Sequence, residues 1–115
     1  LISESFTAAM THHLGIFQGQ KALAYAIFQV IFTEAHLLNL AVAPEFQHRG
    51  LGSLLLKKVL EGAKNKGALT IYLEVRPTNL TAQRLYEKNG FRTLAVRENY
   101  YSNGESAMVM VLENL

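Results

Sequence analysis

A chain of 115 residues, half of them hydrophobic and 17% charged, suits one folded domain with one core spanning residues 1–115. The absence of cysteine excludes disulfide frameworks and thiol chemistry and suits a reducing, cytoplasmic setting. The net charge of +2 arises from scattered residues without a basic block, so neither direct nucleic-acid binding nor a membrane partner is expected.

In chain order, residues 3 to 11 (SESFTAAMT) predict a short helix capped by Ser3 or Ser5. Leu14–Gln18, Ala22–Phe32 and Ala35–Val42 read as three strands in succession, with turns at Gly19-Gln20 and Thr33-Glu34. The middle run is the most apolar, but Gln29 interrupts it and it is well short of the ~20 residues of a membrane-spanning helix. Leu51 to Lys66 places Leu51, Leu54, Leu55, Val59 and Ala63 at helical spacing and ends at Gly67. Lys57, Lys58, Glu61 and Lys64 fall mostly off that stripe, as a solvated face would. Leu69–Val75 is a continuous apolar strand, Thr81–Asn89 a second helix stopped by Gly90, and Phe91–Val96 with Ala107–Leu112 a closing hairpin. The expected class is α/β: a mixed sheet covered by helices on both faces.

The segment QHRGLGS, residues 47–53, sits where the third strand becomes the long helix. Free backbone N–H groups at a helix N-terminus, together with the positive end of its dipole, form an anion site, and glycine lets a phosphate approach the backbone. A glycine-rich turn without a ligand has the same local signature. The spacing matches neither a dinucleotide-binding G-x-G-x-x-G nor a P-loop.

QHRGLG fits the Q/R-x-x-G-x-G/A pattern of the GCN5-related N-acetyltransferases, and agreement continues through LEVRPTNLTAQRLYEKNGF to ENYY. From about residue 22 onward the chain resembles the ribosomal-protein-alanine N-acetyltransferases of bacteria. The resemblance implies acetyl transfer from acetyl-coenzyme A, without a metal, to the N-terminal amine of a protein such as a small-subunit ribosomal protein beginning with alanine. It assigns Leu40, Ala41 and Val42 to backbone pairing with the pantetheine arm. Gln47, His48, Arg49, Gly50, Leu51, Gly52 and Ser53 are assigned to the pyrophosphate, and Asn79 to the cofactor's amide arm. The family begins with a strand and a helix not matched in this sequence, so the resemblance implies either an N-terminally incomplete domain short by roughly 25 to 30 residues or a shortened domain, in either case with an exposed strand edge. Ala43 and Ser106 stand where the family has acidic residues.

Acetyl transfer needs a base for the amine and an acid for the departing thiolate. Glu74 is the candidate base, since it interrupts the apolar strand LTIYLEV and faces away from Ile71, Leu73 and Val75. Tyr86 is the candidate acid, sharing a helical stripe with Ala82 and Leu85. A carboxylate paired with Arg76 or another cation, and a packing tyrosine, are the alternatives; the resemblance assigns base to the glutamate of LEVR and acid to the tyrosine of LYE. It also places Asn99, Tyr100 and Tyr101 in the peptide groove. His12 and His13 read as packing or surface residues, with no metal site, and His36 reads as a strand residue. An acetyltransferase for a lysine or small amine, and a catalytically silent acyl-coenzyme A-binding module, are the competing functions.

Overall fold

The computed structural model describes residues 10–115. Three strands come first, β1 (Thr11–Gln18), β2 (Lys21–Ile31) and β3 (Glu34–Val42), followed by a 3-10 turn at Pro44–Phe46. Then come helix α1 (Leu51–Asn65), β4 (Thr70–Val75), helix α2 (Leu80–Lys88), β5 (Arg92–Arg97) and β6 (Ala107–Glu113). The helix expected over residues 3–11 lies, as far as Ala9, outside the described residues; Thr11 opens β1 instead, paired with Gln29 of the longer β2. Phe32, expected in the strand, stands in the turn with φ 55 and is 90% exposed. The register Ile31↔Glu34 leaves two residues for this hairpin, and so short a connection takes a left-handed residue to match strand twist.

The six strands form one sheet in the order β1-β2-β3-β4-β6-β5. Neighbours are antiparallel except β3 and β4, which run parallel across the α1 connection. Alternation decides which face is covered: Ala24, Ala26, Phe28 and Val30 of β2 are buried, as are Ile71, Leu73 and Val75 of β4. Both described helices pack on that face, α1 through Leu55, Leu56, Val59 and Ala63, α2 through Ala82, Leu85 and Tyr86. At α1, Gly62 lies so close to Phe28 that a Cβ there would stand 3.1 Å from the ring, so the glycine seats the helix on the sheet. None of the described helices is long and apolar enough to cross a membrane.

Phe28 is 1% exposed at the contact between β2 and α1. Phe28→Ala is expected to remove about 3–5 kcal/mol of unfolding free energy, read from urea midpoints at constant slope. A loss below about 1 kcal/mol would show that the helix does not depend on this ring.

Candidate functional site

β3 and β4 pair at only three positions, Glu34↔Thr70, Ala35↔Ile71 and His36↔Tyr72. Beyond them β3 continues to Val42 beside β2, while β4 continues to Val75 beside β6. A bulge marks the parting: Phe28 opposes Leu37 and Ile27 opposes Asn39, which leaves Leu38 as an extra residue on β3. Bulged strands bend, and this one turns away from its parallel neighbour. The wedge so opened is a cleft of about 220 Å³. Leu40, Glu74, Asn79, Tyr86 and Tyr101 line it, among others.

Glu74 comes from the strand position that faces away from the helices, as its alternation with buried Leu73 and Val75 requires. Its side chain is 14% exposed, with Oε2 2.6 Å from His36 Nε2 and Oε1 3.8 Å from Arg97 Nη1. The cation suggested by the sequence, Arg76, goes elsewhere. It lies 3.6 Å from Glu105 and 4.3 Å from the centre of the Tyr101 ring. Residue 76 follows the end of β4 and its side chain is half exposed, so it is free to turn toward the β5–β6 connection. His36, read from sequence as a strand residue, is the neighbour of Glu74 that the sequence reading missed, although it does not line the cleft itself. The signal was positional: it faces Glu74 only once the parallel register of β3 and β4 is known.

Tyr86 approaches from the opposite, helix-covered face and packs against Phe91 at 5.7 Å between ring centres. It is 7% exposed, and burial pushes its phenol up to about 12. The hydroxyl therefore keeps its proton throughout the neutral range. Glu74 and Tyr86 thus address one cleft from the two sides of the sheet, which is open between β3 and β4.

The glycine-rich segment lies at one end of this arrangement. Gly50 caps α1 in a left-handed conformation, φ 79, which is the reason for glycine there. Gly52 has a different one: a Cβ would stand 3.3 Å from Leu85 and 3.7 Å from Val42, so it permits α1, α2 and the end of β3 to meet. The first helical hydrogen bond runs from Leu54 N–H to Gly50 O, 3.0 Å. The N–H groups of Gly50, Leu51, Gly52 and Ser53 before it have no backbone partner among the described residues. His48 also has a positive φ, 63, and the Arg49 guanidinium stands 5.4 Å from the Phe46 ring centre. Gln47 donates to Val42 O at 3.2 Å and so ties the segment to β3, of whose Leu40, Ala41 and Val42 only Leu40 lines the wedge. At Ala43 the backbone alone holds the turn, N–H to Leu23 O and O from Phe46 N–H.

Asn79 caps α2, its Oδ1 accepting from Ala82 N–H at 3.2 Å, which leaves its amide NH₂ to face the cleft. Of the three residues in NYY, only Tyr101 lines the cleft. Asn99 takes a positive φ, 53, and Tyr100 is exposed, meeting Tyr101 edge-on and stacking with Arg97 at 4.9 Å. Burial raises the Tyr101 phenol, against the downward pull of Arg76. His12 packs against Phe28, and burial lowers its imidazole.

Comparison with known proteins places this geometry. Residues 3–91 match the Acetyltransferase (GNAT) family. The chain is 43% identical over 95 residues to the [ribosomal protein bS18]-alanine N-acetyltransferase of Salmonella typhimurium, a match covering 80% of this chain and 64% of that one. It is 42% identical over 102 residues to the protein of that name from Haemophilus influenzae, covering 85% and 69%. It therefore spans roughly two thirds of the length of these relatives. The crystal structure of the ribosomal-protein-S18-alanine N-acetyltransferase from Escherichia coli superposes with a TM-score of 0.85 at 37% identity, covering 98% of this chain and 75% of that one. The chain belongs to the acetyltransferase (GNAT) family.

Proposed function

We propose that this protein transfers an acetyl group from acetyl-coenzyme A to the α-amino group at the N-terminus of a protein, a ribosomal protein beginning with alanine being the leading acceptor. The names of its relatives support that acceptor, and the cytoplasm is the compartment this reading assigns. The observation that carries the mechanism is the convergence of Glu74 and Tyr86 on one cleft from opposite faces of the sheet.

The residues fit the cofactor. The free N–H groups of Gly50 to Ser53 at the α1 N-terminus suit a pyrophosphate. Gln47, His48 and Arg49 border it, and the unpaired stretch of β3 offers Leu40, Ala41 and Val42 to an amide-bearing arm, with the Asn79 amide as a further donor. Acetyl-coenzyme A supplies the thioester. The chain's own groups then divide the proton work: Glu74 accepts the proton from the attacking amine, and Tyr86 hydrogen-bonds the departing sulfur. A phenol near 12 is a weaker acid than a thiol near 8.5 in water, so Tyr86 acts chiefly as a hydrogen-bond donor and yields its proton only as the buried sulfur gains charge. Asn99, Tyr100 and Tyr101, on the connection that borders the Glu74 side, are assigned to the incoming peptide.

The amine's own chemistry supports the acceptor class. An α-amine titrates near 7.7 to 8.0 and a lysine near 10.4, so at neutral pH far more of the former is already nucleophilic. Alanine-starting peptides are expected to react at the α-amine at least about tenfold faster than the same peptides with a blocked N-terminus and an internal lysine, measured by mass spectrometry. Equal rates would favour a lysine or small-amine acetyltransferase.

Coenzyme A at about 100 times its dissociation constant should add about 2.7 kcal/mol to stability and raise the melting temperature. Asn79→Asp should keep the α2 cap yet weaken that shift, whereas Asn79→Ala should also lower unfolding free energy by about 1 kcal/mol. No shift in the unaltered chain would overturn the cofactor assignment.

Glu74→Gln is expected to preserve the coenzyme A melting shift and to cut turnover by about 10² or more, with partial rescue above pH ~8 where the amine arrives neutral. Tyr86→Phe should lower turnover without that rescue. Near-normal rates in both variants would leave a silent acyl-coenzyme A-binding module.

A further inference from the structure

Nothing in the mechanism above uses His36, yet it makes the shortest contact to Glu74. Its Nε2 lies 2.6 Å from Oε2, and an ionised carboxylate only accepts, so the imidazole is the donor whichever charge it carries. Glu74 is 14% exposed on its side chain and His36 39%, so the ring is the more solvent-exposed partner of the pair. The other oxygen, Oε1, has only Arg97 as a neighbouring cation among the described residues, at 3.8 Å, beyond hydrogen-bond reach. One oxygen is held and the other is left to accept. The hold is fixed by backbone: His36 pairs with Tyr72 at the last rung before β3 and β4 part, so its side chain reaches the first carboxylate past the parting.

We propose that His36 is a positioning residue for Glu74: its Nε2–H fixes Oε2 at the mouth of the wedge so that Oε1 is presented to the amine or to a water relaying its proton. The proposal rests on Glu74 being the base and adds no bond-forming step to acetyl transfer. The groups facing the ring are Glu74 and Tyr72 from β4, uncharged Gln29 from β2 and Glu34 from its own strand, with Arg97 on the far side of Glu74.

The test compares His36→Leu, His36→Gln and Glu74→Gln with the unaltered chain, using acetyl-coenzyme A and an alanine-starting peptide. His36→Leu should lower kcat by about tenfold or more while leaving the coenzyme A melting shift in place. His36→Gln keeps an N–H donor toward Oε2 and should recover most of kcat, which a role in packing alone would not produce. If His36→Leu does not fold, His36→Ala takes its place in the comparison with His36→Gln. A His36→Leu variant with unaltered kcat, beside a slow Glu74→Gln, would overturn the positioning role and leave the base intact. A loss that glutamine does not restore would mark His36 as a packing residue and equally overturn the proposal. A normal rate in Glu74→Gln would overturn the base and the positioning role together.

Discussion

The structure turns on the parting of β3 and β4 after three paired positions. A sheet held together along its whole length would be closed at this point, with helices on one face unable to share a site with groups on the other. The extra residue at Leu38 lets β3 stay with β2 while β4 stays with β6, and the cleft is the space between. Among the described residues, backbone hydrogen-bonding capacity along β3 from Leu37 to Val42 has no strand partner on the side of the wedge, and such a strand edge is a natural seat for an amide-bearing ligand.

The packing around the wedge serves the same end. Gly52 draws the start of α1 against Leu85 of α2 and Val42 of β3, so the free N–H groups of the helix N-terminus open beside the end of the cleft. Its companion Gly50 is there for backbone conformation. Beyond β4, two arginines sort the charges. Arg97 stacks on Tyr100 and stands near Glu74, whereas Arg76 stacks on Tyr101 and pairs with Glu105. The connection between β5 and β6 is thereby anchored along the side of the site that bears the carboxylate.

Much of this was legible in the residues, for identifiable reasons. The long apolar stripe from Leu51 to Ala63, the alternation of β2 and β4, and the glycine stops all act within one element, where spacing and burial are coupled directly. The family pattern carried Glu74 and Tyr86 to a common cleft. What was not legible required register between elements. The partners of Glu74 came from β3 and β5, separated from it by 38 and 23 residues, and no local pattern marks His36 or Arg97 as its neighbours. The same limit explains Arg76, adjacent in sequence but turned to Glu105, and Phe32, whose apolarity suggested strand while the two-residue hairpin required a turn. The insertion of β6 between β4 and β5 is likewise a matter of pairing rather than of composition.

The most direct measurement of the central claim is amide hydrogen exchange of the protein with and without coenzyme A. If the wedge is the cofactor's seat, the added protection falls on Leu37–Val42 and on His48–Ser53, with the outer strands β1 and β5 unchanged. Protection confined instead to the groove between β1 and α1, or spread evenly over the sheet, would contradict it.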